Sequence, residues 1–444
     1  MWKNLKIDVV SPPFAGHLYP LLELARGLRQ QGLKNLRVLS TPEAASAIEI
    51  SALEGVYFLA DESAAITAIA NPPYRVKNNP WRLLQQFRAN LSLMQTLRVQ
   101  LRSVWQLEKP DLVIVDFTLP IAGHLAQEMG IAWWTSTPTL CAIETQIGTP
   151  SYLGGLMPGS SPYRRGRDWL GRRLIRGFKL AIGYGFRPEL QALNFPSVYR
   201  TDGYERIYSP EKILGLGMRE FEFERDWPPS LEFIGPLTAS PPFPHRPPTF
   251  QAGVRHVLVS LGTHIPWAKG QASQFVQQVA AQMPTVHFHF SYGQSNYKTD
   301  GPSDDKFDHK FNHKFDSKGG ESQPQNNLFY YDYLPYDHYL PHCDAAIIHG
   351  GTGVLYSCIR AGVPMLVWPH DYDQFDHAAR IVDRGLGLRF KPDLAHTVQR
   401  LHRLFSDPKI ACQMRDFQTR CHQYDPVVAV MALIQQWAEG GLGV

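Results

Sequence analysis

The chain has 444 residues, 44% of them hydrophobic and 19% charged, with a formal net charge of +4. That length accommodates two ordinary domains, each with its own core. So small a charge argues against a nucleic-acid partner, and no apolar run is long enough for a membrane span. Cys141, Cys343, Cys358, Cys412 and Cys421 are odd in number and scattered, without CxxC spacing, which fits reduced thiols in a cytoplasmic protein. The first six residues lead into a strand without the apolar core of a secretory signal, which gives the same cytoplasmic expectation.

In chain order, Ile7–Val10 reads as a strand, 11–16 as a turn, and 17–30 as a helix whose apolar stripe is Leu21, Leu22, Leu24, Ala25 and Leu28. Leu36–Leu39 and Leu112–Val115 are further strands. A proline-dense stretch follows at 235–248, unable to donate to a sheet or continue a helix, and residues 236–251 are read as a stiff linker. His256–Ser260 opens a second series, continued by Val286–Phe290, Ala345–Ile348 and Met365–Trp368. Within the series, 294–327 reads as a flexible insert carrying the degenerate repeat Lys306-Phe307-Asp308-His309, Lys310-Phe311-Asn312-His313. Strands alternating with amphipathic helices predict an α/β protein. Residues 1–235 and 252–444 are read as two Rossmann-like doubly wound domains facing across a cleft, with the last helix a candidate to pack back on the first domain.

At Ala345–Ile348 an apolar strand stops at His349 and is followed by Gly350, Gly351, Thr352, Gly353 and a helix-like run to Gly362-Val363-Pro364. Glycines there allow close approach of the backbone, and a helix start presents N–H groups to an anion. Many βα turns carry glycine for steric reasons alone. Three other segments stand with it: Phe14-Ala15-Gly16-His17 after the first strand, Asp116 closing the strand from Leu112, and Val259-Ser260-Leu261-Gly262-Thr263. In this order, and over nearly the whole length, the four segments resemble the UDP-glycosyltransferase family, glycosyltransferase family 1, with its bacterial antibiotic, lipid and carotenoid branches.

The resemblance implies a GT-B fold in which the first domain binds an acceptor and the second a nucleotide sugar. It implies His17 as the base that takes the acceptor proton, with Asp116 fixing its tautomer. Thr263, His349, Gly351, Thr352, Gly353 and Val354 would bind the donor diphosphate, Asp373 and Gln374 the sugar, and Tyr333 and Leu334 the base. Tyr336 stands where the family has a glutamine. Ser357 stands where the family has a ribose-gripping glutamate, and a hydroxyl cannot accept two bonds as a carboxylate does. UDP is favoured as the donor nucleotide and dTDP stays open. The implied activity is inverting, metal-independent transfer of a hexose from a nucleotide sugar to a hydroxyl of a carotenoid, lipid or polyketide-like acceptor. The sugar nucleotide is a co-substrate, and no cofactor or metal is expected; metal binding at His370, Asp371 and Asp373 is the lesser reading. A same-fold epimerase and a non-catalytic nucleotide-sugar binder or activator subunit are the alternatives.

From Tyr163 to Arg187 the chain carries eight basic residues against Asp168 alone, with Leu170, Leu174 and Phe178 on one helical face. Two readings stay open. The segment is either a basic amphipathic helix touching the inner face of a membrane, its arginines reaching the headgroups, or a solvated helix whose arginines pair with acids of the same domain.

Overall fold

The computed structural model describes residues 2–70, 80–238, 250–293 and 326–440. Most of the proline-dense linker and of the insert at 294–327, with its repeat, lies outside them.

Two separate parallel sheets organise the chain. The first has seven strands: β1 (Lys6–Val10), β2 (Asn35–Ser40), β3 (Glu54–Tyr57), β4 (Leu112–Asp116), β5 (Ala132–Thr137), β6 (Ile213–Gly215) and β7 (Leu231–Phe233), in the order β3-β2-β1-β4-β5-β6-β7. The second has six: β8 (Arg255–Ser260), β9 (Val286–Ser291), β10 (Leu328–Tyr331), β11 (Ala345–Ile348), β12 (Met365–Val367) and β13 (Gly387–Arg389), in the order β10-β9-β8-β11-β12-β13. Both are doubly wound, as the alternation of elements predicts. A parallel strand covered on both faces reads as an unbroken apolar run, and the central strands do so: every residue of β4 and β11 is buried.

In each sheet the winding reverses between the first strand and the fourth, β1 against β4 and β8 against β11. Chains leave those neighbours in opposite directions, opening a crevice at their carboxyl ends where ligands of such sheets bind. His17 and Asp116 follow β1 and end β4; Thr263 and His349 follow β8 and β11. The helix over β1 runs Ala15–Gln30 and so begins two residues earlier than expected, which puts His17 in its first turn.

The helix Pro426–Gly440 leaves the second half and packs on Ala15–Gln30. Val430 and Ile434 are fully buried in the core built on β1, and Trp437 meets Trp134 edge to face at 6.3 Å. Burial of two aliphatic side chains and a ring of this kind contributes on the order of 1.5–3 kcal/mol each.

Candidate functional site

His17 is held by the carboxylate that ends β4. Its Nδ1 lies 2.9 and 3.1 Å from the two oxygens of Asp116. Asp116 is itself buried, and one of its oxygens also accepts the N–H and the hydroxyl of Thr118, at 3.0 and 2.5 Å. A carboxylate beside Nδ1 requires the proton there, so Nε2 keeps the lone pair. Burial by itself would depress the proton affinity of His17, but the charge of Asp116 and its hydrogen bond, helped by Asp373, more than offset that and hold the imidazole above its usual pKa. Phe117 stacks on one face of the ring at 5.8 Å between centroids.

Across the crevice, His349 closes β11, and its ring fills the space over two glycines. A Cβ on Gly351 would stand 2.4 Å from His349 Nε2, and one on Gly262 would stand 2.7 Å from Cε1. A side chain at either point would displace the His349 ring, and at Gly262 the backbone is also left-handed, with φ +72°. Gly351 then caps the helix Thr352–Ala361 without a side-chain hydrogen bond, and the first amide to close an intrahelical bond is that of Leu355. The N–H groups of Thr352, Gly353 and Val354 are left for a ligand, the partial positive end of the helix behind them. Burial lowers the pKa of His349 to about 3, the Ser260 backbone acting against it and His370, His264 and Lys269 with it, so the ring is neutral, and its buried Nδ1 makes no hydrogen bond within the usual distance among the described residues.

Two residues not singled out in the sequence complete this side. His264, next to Thr263, meets Phe14 edge to face at 5.6 Å, and Phe14 in turn meets His17 at 6.4 Å; one phenylalanine thus lies between a histidine of each half. Burial, then His17 and Lys269, lower the pKa of His264 to about 4. Lys269 is 6% exposed, yet among the described residues its ammonium bonds the carbonyls of Thr263 and Tyr292 and no acid, and burial lowers it to about 8. The signal was available: Lys269 sits on the apolar face of its helix beside Ala268, Ala272 and Val276. Among the described residues no carboxylate is a main contributor to the electrostatics of His264, Lys269 or His349, and this part of the crevice is suited to an anion.

The other predicted donor residues are placed as follows. Asp373 accepts from the Thr139 hydroxyl at 2.8 Å, across from one half to the other, and lies 3.9 Å from His377 Nδ1. Gln374 begins the helix Gln374–Asp383, and its Oε1 accepts the N–H groups of His370 and Asp371, at 2.8 and 3.1 Å, shaping the turn before it. Ser357 is buried and donates to the Gly353 carbonyl at 2.8 Å, so its hydroxyl proton is committed to its own helix. Leu334 is buried and Tyr333 half-buried at the end of the sheet. The Tyr336 hydroxyl sits 2.8 Å from Ser260 Oγ, which also accepts the Gly262 N–H at 3.2 Å; the residue replacing the family's glutamine thus braces the β8 turn. Among the described residues no three His, Cys, Asp or Glu side chains converge as metal ligands.

On the acceptor side, residues 163–185 are helical, within Pro162–Gly185. Arg167 binds Asp168, Arg172 the Gly148 carbonyl, Arg176 the carboxylate of Glu144 and the Gly203 carbonyl, and Lys179 the carboxylates of Glu144 and Glu205. For these four, pairing within the domain is what the structure contains. No described helix is long and apolar enough to cross a membrane.

The family described as erythromycin biosynthesis protein CIII-like, C-terminal domain, matches residues 307–412. Over 65 residues the chain is 42% identical to a sterol 3-beta-glucosyltransferase of Candida albicans, a match covering 15% of this chain and only 4% of that protein. A zeaxanthin glucosyltransferase of Pseudescherichia vulneris is 22% identical, with 86% of this chain and 85% of that one covered. The crystal structure of the glycotransferase of kitacinnamycin superposes with a TM-score of 0.73 at 22% identity, covering 98% of this chain and 99% of its own. The fold is GT-B, and the resemblance to family 1 with its antibiotic and carotenoid branches is borne out.

Proposed function

We propose that this chain is an inverting glycosyltransferase that moves a hexose from a nucleotide diphosphate sugar, UDP favoured, to a hydroxyl of a lipophilic acceptor. One observation carries the reading: a histidine oriented by a buried aspartate at one switch point faces, at the other, a helix start with no acid in its own first turn. The acceptor oxygen gives its proton to Nε2 of His17 as it attacks the anomeric carbon, and the bond from that carbon to the diphosphate breaks on the opposite face. Asp116 stabilises the imidazolium formed. The departing charge is taken up by the amides of Thr352, Gly353 and Val354, by His349, and by Thr263, without a metal or cofactor being invoked.

Asp373 and Gln374 are assigned to the sugar hydroxyls, and Tyr333 and Leu334 to the base. Ser357 faces its own helix, so it contributes little to ribose selection, and a dTDP sugar remains an acceptable donor. Names of relatives that act on a sterol and on zeaxanthin support a lipophilic alcohol such as a carotenoid or lipid. On this reading the protein works in the cytoplasm, peripheral to the inner face of a membrane from which the acceptor is met, with residues 163–187 in contact.

The test is direct. The protein is incubated with UDP and dTDP hexoses and a mixed set of hydrophobic alcohols, and products are read by mass spectrometry. Mass gains of one hexose, with inverted anomeric configuration by NMR, are expected. Hydrolysis or epimerisation of the donor with no glycosylated alcohol would overturn the proposal.

A further inference from the structure

The helix Pro162–Gly185 turns the wrong way round for a helix facing water. Its inward face carries charge: Asp168, Arg172 and Lys179 point to the domain and are satisfied there. Its outward face is apolar, with Leu170 51%, Leu174 61% and Phe178 47% exposed, one helical turn apart. Trp169 and Leu180 flank this stripe, 55% and 51% exposed. Seven of the seventeen exposed large hydrophobic residues described lie on this helix, so they form a patch and not the ordinary scatter of a soluble surface.

We infer that this outward face is seated in the interfacial layer of an anionic lipid membrane, the helix lying parallel to the surface. This rests on the lipophilic acceptor proposed above, but it changes the mode of contact: apolar side chains enter the lipid, while half the basic residues of the segment are committed inward. Three observations select the occupant. Arg165, Arg173 and, just past the helix, Arg187 are exposed, and the helix exposes no acid, because its one carboxylate, Asp168, is buried. Headgroup phosphates complement that rim, whereas a second copy of the same face would bring arginines against arginines with no carboxylate to meet them. Tyr163 and Tyr184, 81% and 80% exposed, stand at the two ends, where amphipathic rings favour the boundary between hydrocarbon and water.

The face also connects to the crevice. Gly171 packs on Pro150 and Leu153, and a Cβ there would come within 2.9 Å of both. The same loop donates the Tyr152 N–H to Asp376 at 2.7 Å and lays Gly155 against the Phe375 carbonyl, beside Asp373 and Gln374. A lipid-seated helix therefore sets the loop that borders the sugar subsite, and it places the mouth of the crevice at the membrane.

The experiment is flotation of the full chain with vesicles of phosphatidylcholine alone and of phosphatidylcholine with phosphatidylglycerol. The comparison is with the double variant Leu174→Glu, Phe178→Glu; both positions are exposed, so the fold should be kept, which thermal melting checks. Wild type is expected to float with the anionic vesicles, and the variant to lose about tenfold or more of its vesicle-bound fraction, with transfer to a short water-soluble alcohol unchanged. Equal flotation of the two, no flotation of wild type, or a wild-type dimer that the variant dissolves in place of vesicle binding would each overturn the inference. Flotation that follows the prediction in a protein that glycosylates no alcohol upholds the docking surface and removes the proposed reaction instead.

Discussion

The Thr139 hydroxyl donates to the Asp373 carboxylate at 2.8 Å, joining a loop after β5 to the turn after β12 over 234 residues of sequence. Asp373 is the residue assigned to the sugar, and the same carboxylate raises the proton affinity of His17. A carboxylate has room for several donors, so Thr139 orients it without saturating it. Thr139→Val is expected to weaken binding of the sugar nucleotide about three- to tenfold, the worth of one such hydrogen bond, and to leave the free nucleoside diphosphate unaffected. Calorimetry with both ligands checks this, and an equal loss for both would place Thr139 elsewhere in the mechanism.

The pairing of His17 with Asp116 fixes a pH dependence. A base must be unprotonated to act, so turnover should rise with pH through an apparent pKa above 6.5, because the folded protein raises His17 above that value. In Asp116→Asn the main raising charge is gone and only the weaker effect of Asp373 opposes burial, so the limb should move to lower pH. The plateau should fall by about 10²–10⁴. His17→Ala should fall at least as far while still binding nucleoside diphosphate. A limb that stays in place in Asp116→Asn would mean that His17 is not the group being titrated.

Lys269 is a buried cation that meets no acid among the described residues and is bound to the carbonyls of Thr263 and Tyr292. Its charge favours a diphosphate nearby, and burial has lowered its pKa to about 8. Affinity for a nucleoside diphosphate should therefore decline as pH rises from 7 to beyond 8 and the ammonium loses its proton. Lys269→Met should bind the diphosphate about tenfold more weakly at pH 7, on the scale of a hydrogen-bonded charge, with the nucleoside itself unaffected and the decline with pH abolished. Titrations of both ligands at three pH values provide the measurement.

Arg380, wholly buried on the helix Gln374–Asp383, donates to Glu222 at 2.7 Å from the far side of the crevice, over the ring of Phe223. Removing one member of such a pair strands the other. Glu222→Ala should thus lower stability by about 3–5 kcal/mol in urea denaturation. A loss below about 1 kcal/mol would show that water reaches the guanidinium once the carboxylate is gone.

What could be read in advance divides along physical lines. Ala345–Ile348 and the turn after it were legible because a buried parallel strand is a plain apolar run and its end is marked by glycines. The same holds for Ile7–Val10 and for the reach of Asp116 to His17, which two matching segments 99 residues apart implied. The strands Ile213–Gly215, Leu231–Phe233 and Gly387–Arg389 were not legible, since three residues carry no period. Nor was the fate of the hydroxyl of Ser357, which chose a carbonyl four residues back in its own helix. The segment 163–187 shows the limit most clearly. Periodicity separates an apolar face from a basic one but does not say which is turned inward, and here Glu144 and Glu205, distant in sequence, drew Arg176 and Lys179 toward the domain.

The return of Pro426–Gly440 to the first half has a consequence for how the molecule is made. The domain that emerges first from the ribosome keeps an open apolar seat along Ala15–Gln30 until residues 426–440 have been synthesised and reach back to fill it with Val430 and Ile434. Its core is thus among the last to close during synthesis, and for most of translation the nascent chain presents a sticky groove that chaperones, or another copy of the same tail, could occupy.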